Sequence, residues 1–262
     1  MLSQISEISE SALVVVKIGS SSITGENSEQ LGLVCKLAAN LREQGTAVVV
    51  VSSGAIASSA PVLGITAKAT DLPTSQAMAA VGQLRLMADY QRLLSGFNLI
   101  AGQVLLTVEN METPETRSNA LQAFSRLLEM GVIPIVNEND TVATQEIRFG
   151  DNDGLAASVA TLLGADLLIL LSDVDAIYTG PPEQDGSRPI ARISSQEDLQ
   201  DVQISGTSTG FGTGGALTKV SAALKVTESG IPVMLTKVTN AEKILFEDFT
   251  HTWFEAKNKL ES

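Results

Sequence analysis

The stretch Gly154–Leu171, GLAASVATLLGADLLILL, decides the fold. Its length and apolar character would suit a membrane span. Gly164 and Asp166 interrupt it, however, and the residues after them are aliphatic and strand-like. It reads instead as a buried helix, a turn and a buried strand, which is half of a repeating strand–helix unit.

Working outward, the same short apolar runs recur. Ala12–Ile18, Thr46–Ser52, Leu99–Leu106, Val132–Val136, Asp166–Leu171 and Ile231–Thr236 are each bounded by turn residues. Uninterrupted hydrophobicity over so few residues marks strands covered on both faces, as in a parallel sheet. Helical stretches are expected between them, near Ser28–Gln44, Ser75–Leu94, Glu115–Glu129, Leu155–Leu163 and Gly215–Ser229. The alternation predicts an α/β three-layer sandwich with a mainly parallel central sheet and right-handed crossovers. Pro181–Pro189, PPEQDGSRP, reads as an exposed hairpin or loop, and no linker divides the chain.

Composition narrows the function. The 262 residues are 44% hydrophobic, as in a globular protein, with a formal net charge of −13. That charge opposes sequence-independent nucleic-acid binding and docking on an anionic membrane. A small anionic substrate stays open, since a few focused lysines reverse the potential locally. Cys35 is the only cysteine, so neither an internal disulfide nor a cysteine zinc cluster can form, and its context LGLVCKLAANL makes it a buried small hydrophobe. Met1–Ser11 has no basic region and no apolar core, so it is not a signal peptide; a cytoplasmic protein is expected.

In parallel sheets ligands gather at the carboxyl ends of strands. The first strand ends in KIGSSS, Lys17–Ser22. Its lysine must reach water, a counter-ion or a ligand, and Gly19 lets backbone amides approach an anion. The second ends in SSGAIA, Ser52–Ala57, which suits either an anion-binding helix N-terminus or an ordinary tight turn. The fourth runs into VNENDTVATQEIRFGDNDG, Val136–Gly154, a polar loop with Asn137, Glu138, Asn139, Asp140, Asp151, Asn152 and Asp153. An EF-hand register fails there. With Gly154 at the sixth position, the first and twelfth fall on Phe149 and Ala160, which cannot coordinate calcium. Ser172 and Asp173 follow the fifth strand, where a nucleotide could be held, while Asp175 serves the turn. GFGTGGALTK, Gly210–Lys219, is glycine-rich and enters a helix, but it is not a GxxxxGK[ST] loop. Two lysines beside glycine-rich turns, with an aspartate-rich segment between them, suit phosphoryl transfer.

At KIGSSS, SSGAIA, AAVGQ (Ala79–Gln83), QVLLT (Gln103–Thr107), NENDTVAT (Asn137–Thr144), FGDNDGLAA, LLSDVDAIYT and GTGGALTK the chain resembles the amino-acid kinase family. Within it, the chain is most similar to the glutamate 5-kinases, from about residue 12 to 236. The resemblance implies an amino-acid kinase domain over 1–262, with a glutamate-binding lobe to about 165 and an ATP-binding lobe beyond, and no added PUA domain. It implies ATP-dependent phosphorylation of the side-chain carboxylate of L-glutamate, with Mg2+ on the ATP phosphates. Lys17, Asp153 and Lys219 would be catalytic, the aspartate orienting both lysines. Ser53, Gly54, Asn137, Asp140 and Asn152 would bind glutamate, with Asp140 facing its α-ammonium. Lys17, Ser172, Asp173, Thr213, Gly214, Gly215, Ala216, Leu217, Thr218 and Lys219 would hold ATP. A homo-oligomer and functional coupling to a glutamyl-phosphate reductase follow by the same implication; partners in nucleic acid or membrane do not. The arginine usual after the NA pair is Leu121 here, which bears on the oligomer interface and on any proline-feedback site. After Thr236 the match fades. Kinases of N-acetylglutamate, aspartate or carbamate, and a non-catalytic ligand sensor, are the competing readings. The single histidine, His251, is expected to be an exposed tail residue, and a carboxylate nucleophile needs no general base.

Overall fold

The computed structural model describes residues 2, 4–65, 69, 71–142, 152–200, 202 and 216–257. A short 3-10 segment, Ile5–Glu10, leads into β1 (Leu13–Ile18), α1 (Leu31–Glu43), β2 (Ala47–Ser52), α2 (Ala55–Leu63) and α3 (Leu72–Ser95). There follow β3 (Ile100–Leu106), α4 (Val108–Glu112), α5 (Pro114–Glu129), β4 (Val132–Glu138), α6 (Asn152–Leu163) and β5 (Leu167–Ser172). The chain continues through β6 (Ile177–Tyr178), β7 (Pro189–Ile190), β8 (Arg192–Ile193), α7 (Ala216–Glu228), β9 (Val233–Lys237) and β10 (Thr252–Phe254).

Eight of these strands form one sheet in the order β3-β4-β2-β1-β5-β9-β10-β8. From β3 to β9 every pairing is parallel; β10 then runs antiparallel to β9. The strands alternate faces, as their period of two requires. Val14, Val16 and Ile18 of β1 pack with α1 and α3, whereas Val15 packs with α5, α6 and α7. Two cores, one per face, are thus separated by a single sheet, the arrangement the continuous apolar runs implied. Gly154–Leu171 resolves into α6 and β5, and among the described residues no helix is long and apolar enough to cross a membrane. Asp166, which breaks that apolar run, accepts the backbone N–H groups of Ala12 at 2.7 Å and Leu13 at 3.0 Å. It ties the entrance of β5 to that of β1.

Several local features depart from the expected pattern. Residues 152 and 153, read as loop, form the first turn of α6, because their side chains are buried in polar contacts and an acid favours a helix N-terminus. Of the two readings of SSGAIA, a helix start or a tight turn, the helix start holds: α2 begins at Ala55 and runs to Leu63 through Pro61, a stretch not among the expected helices. The 181–189 excursion, by contrast, is a hairpin, one of the two forms expected, with Ile177 paired to Ile190 and Tyr178 to Pro189. His251 is half-buried rather than exposed: its ring lies 5.3 Å from that of Phe249, and Nδ1 stands 2.9 Å from the Phe249 carbonyl oxygen. The strand that follows it, β10, is paired on both sides, with β9 and with β8, which holds this segment against the sheet.

Gly82 fixes how α3 crosses the start of α2. A Cβ there would stand 1.7 Å from the Ala55 carbonyl oxygen and 2.8 Å from the Ser59 nitrogen, both backbone atoms that cannot swing aside. Gly82→Ala is therefore expected to cost ~3 kcal/mol or more of stability in urea unfolding. Gly32→Ala on α1, where a Cβ meets nothing within 4 Å, is expected to add up to ~1 kcal/mol.

Candidate functional site

The carboxyl ends of β1, β2, β4 and β5 and the N-termini of α6 and α7 lie at one edge of the sheet. Lys17 is the penultimate residue of β1 and, by strand parity, shares the face of Val15, which α6 and α7 cover. Its ammonium is buried, with the side chain only 5% exposed. A buried ammonium requires a charged or well-bonded partner, and α6 supplies one. Asp153, on the first turn of α6 and 1% exposed, forms an ion pair through Oδ1 with Lys17. Its Oδ2 lies 3.6 Å from the Lys219 ammonium and accepts the Thr218 hydroxyl at 2.9 Å. Lys219 and Thr218 belong to the first turn of α7. Three segments far apart in sequence thus place one carboxylate between two ammonium groups.

Burial alone would raise the Asp153 carboxyl, but Lys17, then Lys219, and their hydrogen-bonding company hold it below its usual 3.8. Lys219 moves the other way. Burial first, and then the Lys17 ammonium, pull it below 10.5 against the attraction of Asp153 and Asp173. The cluster carries one positive charge in excess, and an incoming anion would relieve it.

The opposite side of the same edge is neutral and amide-rich. Ser53 follows β2, and its Oγ accepts Asn152 Nδ2 at 2.8 Å, tying the β2–α2 turn to α6. Gly54 completes that turn at φ 103°, a backbone conformation open chiefly to glycine. Asn137, near the end of β4, donates through Nδ2 to Gln83 Oε1 at 2.7 Å and accepts the Glu138 N–H at 2.9 Å. The Asn152 Oδ1 is buried and has no hydrogen-bond partner among the described residues, a cost that a ligand donor would remove. Asp140 lies just beyond β4, half-buried, and burial pushes its carboxyl up to about 6.

On the far side of β1, Ser172 ends β5 and donates to Asp173 Oδ1 at 2.9 Å. Asp173 lies within electrostatic reach of Lys219, which joins this strand end to the α7 N-terminus. Ala216, Leu217 and Thr218 share that first turn, with Leu217 exposed. Helix N-termini in general suit phosphate, through their backbone N–H groups and the helix dipole. Thr213, Gly214 and Gly215, expected to hold nucleotide, lie outside the described residues, as does Asp151.

Two participants escaped the sequence reading. Gln83 was quoted within a motif and given no role, and Glu138, 8% exposed, passed as a loop residue although it closes β4. The signal for Gln83 was present. It sits on the buried stripe Met78, Ala79, Gly82, Leu86 and Tyr90 of α3, where an amide has no apolar reason to be. Tyr90 makes the analogous contact two turns further, donating to Ser52 Oγ at 2.9 Å.

Comparison with known proteins identifies the family. The model of the amino acid kinase family matches residues 12–237. A glutamate 5-kinase of Leifsonia xyli subsp. xyli is 51% identical over 249 residues, which are 95% of this chain and 92% of that one. A glutamate 5-kinase of Clavibacter michiganensis subsp. michiganensis is 50% identical, covering 94% and 95%. That of Thermobifida fusca is 47% identical over 95% of this chain but 65% of its own length. Among solved structures, a carbamate kinase from Giardia lamblia bound to AMP-PNP superposes with a TM-score of 0.66 at 15% identity, covering 95% of this chain and 100% of that one. The last likeness is one of fold.

Removing the shared carboxylate should leave two buried cations facing each other. Asp153→Asn is expected to lower unfolding free energy near neutral pH by ~3 kcal/mol. The linkage has a definite sign. A depressed carboxyl stabilises the fold above its unfolded value of 3.8 and loses that contribution as pH falls through the folded value. Urea titrations from pH 7 downward should therefore show a steeper acid loss in wild type than in Asp153→Asn.

Proposed function

The chain belongs to the amino acid kinase family, and from that premise we propose that it transfers the γ-phosphoryl group of ATP to the side-chain carboxylate of L-glutamate, yielding L-glutamyl 5-phosphate and ADP. The observation that carries the reading is the Lys17–Asp153–Lys219 cluster, positive by one charge and buried at the meeting of two helix N-termini. Relatives named glutamate 5-kinases suggest the acceptor.

The chemistry asks little of the protein beyond position and charge. A γ-carboxylate oxygen forms the new P–O bond as the bond to the leaving ADP oxygen breaks; the electron pair departs with ADP, and no proton moves. A carboxylate is already anionic at neutral pH, so no general base is required, consistent with a site lacking histidine. Lys17 and Lys219 lie on two sides of Asp153 and would bind the equatorial oxygens of the moving phosphoryl group. Asp153 holds the ammonium groups apart and aimed, and Thr218 fixes its second oxygen. The first turn of α7, with Ser172 and Asp173, would receive the nucleotide. Magnesium, when bound, would neutralise charge on the ATP phosphates; the cationic donor set seen here fits phosphate, so the ion would enter with the nucleotide.

Ser53, Gly54, Asn137, Asp140 and Asn152 would hold glutamate in the segment before about residue 165, and the remainder would serve ATP. The enzyme would work in the cytoplasm as a homo-oligomer. Its acyl phosphate hydrolyses readily, which favours functional coupling to a reductase that consumes it.

Two measurements test this reading. Glutamate-dependent ADP release, with the product trapped by hydroxylamine as γ-glutamyl hydroxamate, should be strong in wild type and reduced about a hundredfold or more in Asp153→Asn. Replacing glutamate by N-acetylglutamate, aspartate or carbamate should give little turnover. Asp140 adds a pH signature. Its carboxyl at about 6 must ionise to pair with the α-ammonium, so the KM for glutamate should rise as pH falls below that value. Asp140→Asn should be weak at every pH and lack the step.

A further inference from the structure

Gln83 stands where three parts of the site meet. Its helix, α3, touches the β2–α2 turn so closely that the adjacent Gly82 leaves no room for a Cβ beside Ala55. Its side chain reaches β4 and bonds Asn137. The neighbouring pair Gly82 and Gln83 thus sets α3 against the start of α2 and against the end of β4.

The orientation of its amide is determined by its neighbours. The Glu138 N–H can only donate, so the Asn137 atom that it meets is Oδ1. Asn137 must then present its NH2 to Gln83, and the Gln83 atom facing it is the carbonyl Oε1. The remaining Nε2 is buried and has no hydrogen-bond partner among the described residues. An unmet buried donor at a binding edge is a costly feature unless a ligand completes it.

The ligand atom that completes it must be an acceptor. Glutamate offers two carboxylates and one ammonium. The ammonium only donates and so cannot serve. The γ-carboxylate is the nucleophile and belongs with Lys17, on the sheet face that α6 and α7 cover. Asn137 shares the opposite face with Ile135, toward α3. We infer that Gln83 Nε2 binds the α-carboxylate of the amino-acid substrate and makes Gln83 a specificity-determining residue, an inference that rests on the glutamate-phosphorylating reading above.

The test compares L-glutamate with its α-amide, isoglutamine, by hydroxamate trapping. Gln83→Glu keeps an oxygen for Asn137 and replaces the open donor by an anion. It should raise the KM for glutamate about a hundredfold, leave that for ATP within about twofold, and reduce the glutamate-over-isoglutamine preference at least about tenfold, since the α-amide N–H groups can donate to the new carboxylate. Gln83→Met, which adds no buried charge, serves if Gln83→Glu fails to fold, and it too should lower the preference. A residue that merely props up Asn137 would weaken both substrates alike. An unchanged preference ratio in a folded, active variant overturns the inference while leaving the glutamate kinase reading intact. Wild type that forms no hydroxamate from glutamate removes both.

Discussion

One carboxylate held between two ammonium groups, out of water, is the constraint to which the rest of the molecule answers. Two lysines that were buried together without Asp153 would repel each other and pay desolvation twice; with it, each gains a partner and the cluster retains one positive charge. The geometry can exist only if the end of β1 and the first turns of α6 and α7 converge. The topology provides this: β1 lies beside β5, β5 beside β9, and α6 and α7 pack over that part of the sheet. A parallel sheet sends all its helices back the same way, so their N-termini collect at the edge where the strands end. Charge alone would not have located the site in a chain with a net charge of −13; convergence does.

The neutral residues around the cluster follow from the same electrostatics. Asn152 precedes Asp153 on one helical turn, and its amide goes to Ser53 instead of to a cation. A second acid there would face an anionic substrate. At ~4 Å and an effective dielectric near ~20, such a contact costs roughly 4 kcal/mol, enough to remove about three powers of ten in rate or affinity. Asp140 shows the opposite case. Among the described residues no lysine holds its proton off, and burial puts its carboxyl at about 6. Its ionisation is a cost that a cationic group of a ligand would offset.

Much of this was legible in sequence because strands and charges leave local traces. The aliphatic runs gave the parallel sheet, since a run apolar throughout suits a strand covered on both faces; Val132–Val136 and Leu167–Leu171 are fully buried as that reasoning requires, whereas Leu99–Leu106, expected to be covered likewise, forms the edge strand β3 and leaves Ile100 and Leu105 exposed. Lys17 and Lys219 drew notice as lysines beside glycine-rich turns, whereas Asp153 was singled out from its polar loop only through the resemblance to the kinase family. What stayed hidden depends on contacts between distant segments. Nothing local distinguishes Asn152 and Asp153 as helix rather than loop until Ser53, Lys17 and Thr218 are in place around them. Gln83 lies in a helix whose face becomes visible only when α2 and β4 are packed on it. The half-burial of His251 similarly depends on β10 pairing with β9, where the sequence after Thr236 carries little pattern.

The sheet edge also explains why the site straddles two faces. Lateral neighbours in a parallel sheet point the same way, and Lys17 pairs in register with Val51, and Val51 with Val136. The next row holds Ile18, Ser52 and Asn137, directed to the other face, where Ser52 receives Tyr90 and Asn137 meets Gln83. A single residue's step along the strands therefore moves from the cationic side to the amide side. A short molecule with a reactive carboxylate at one end and recognition groups at the other can lie across that edge and address both faces. The spacing between the two is set by covalent geometry and backbone hydrogen bonds, the least compliant parts of the protein. Register, more than any single side chain, sets how far the reacting carboxylate can lie from the groups that recognise the rest of the substrate. A shift of one residue in β1 against β2 would turn Lys17 away from α6 and dismantle the cluster without altering its composition.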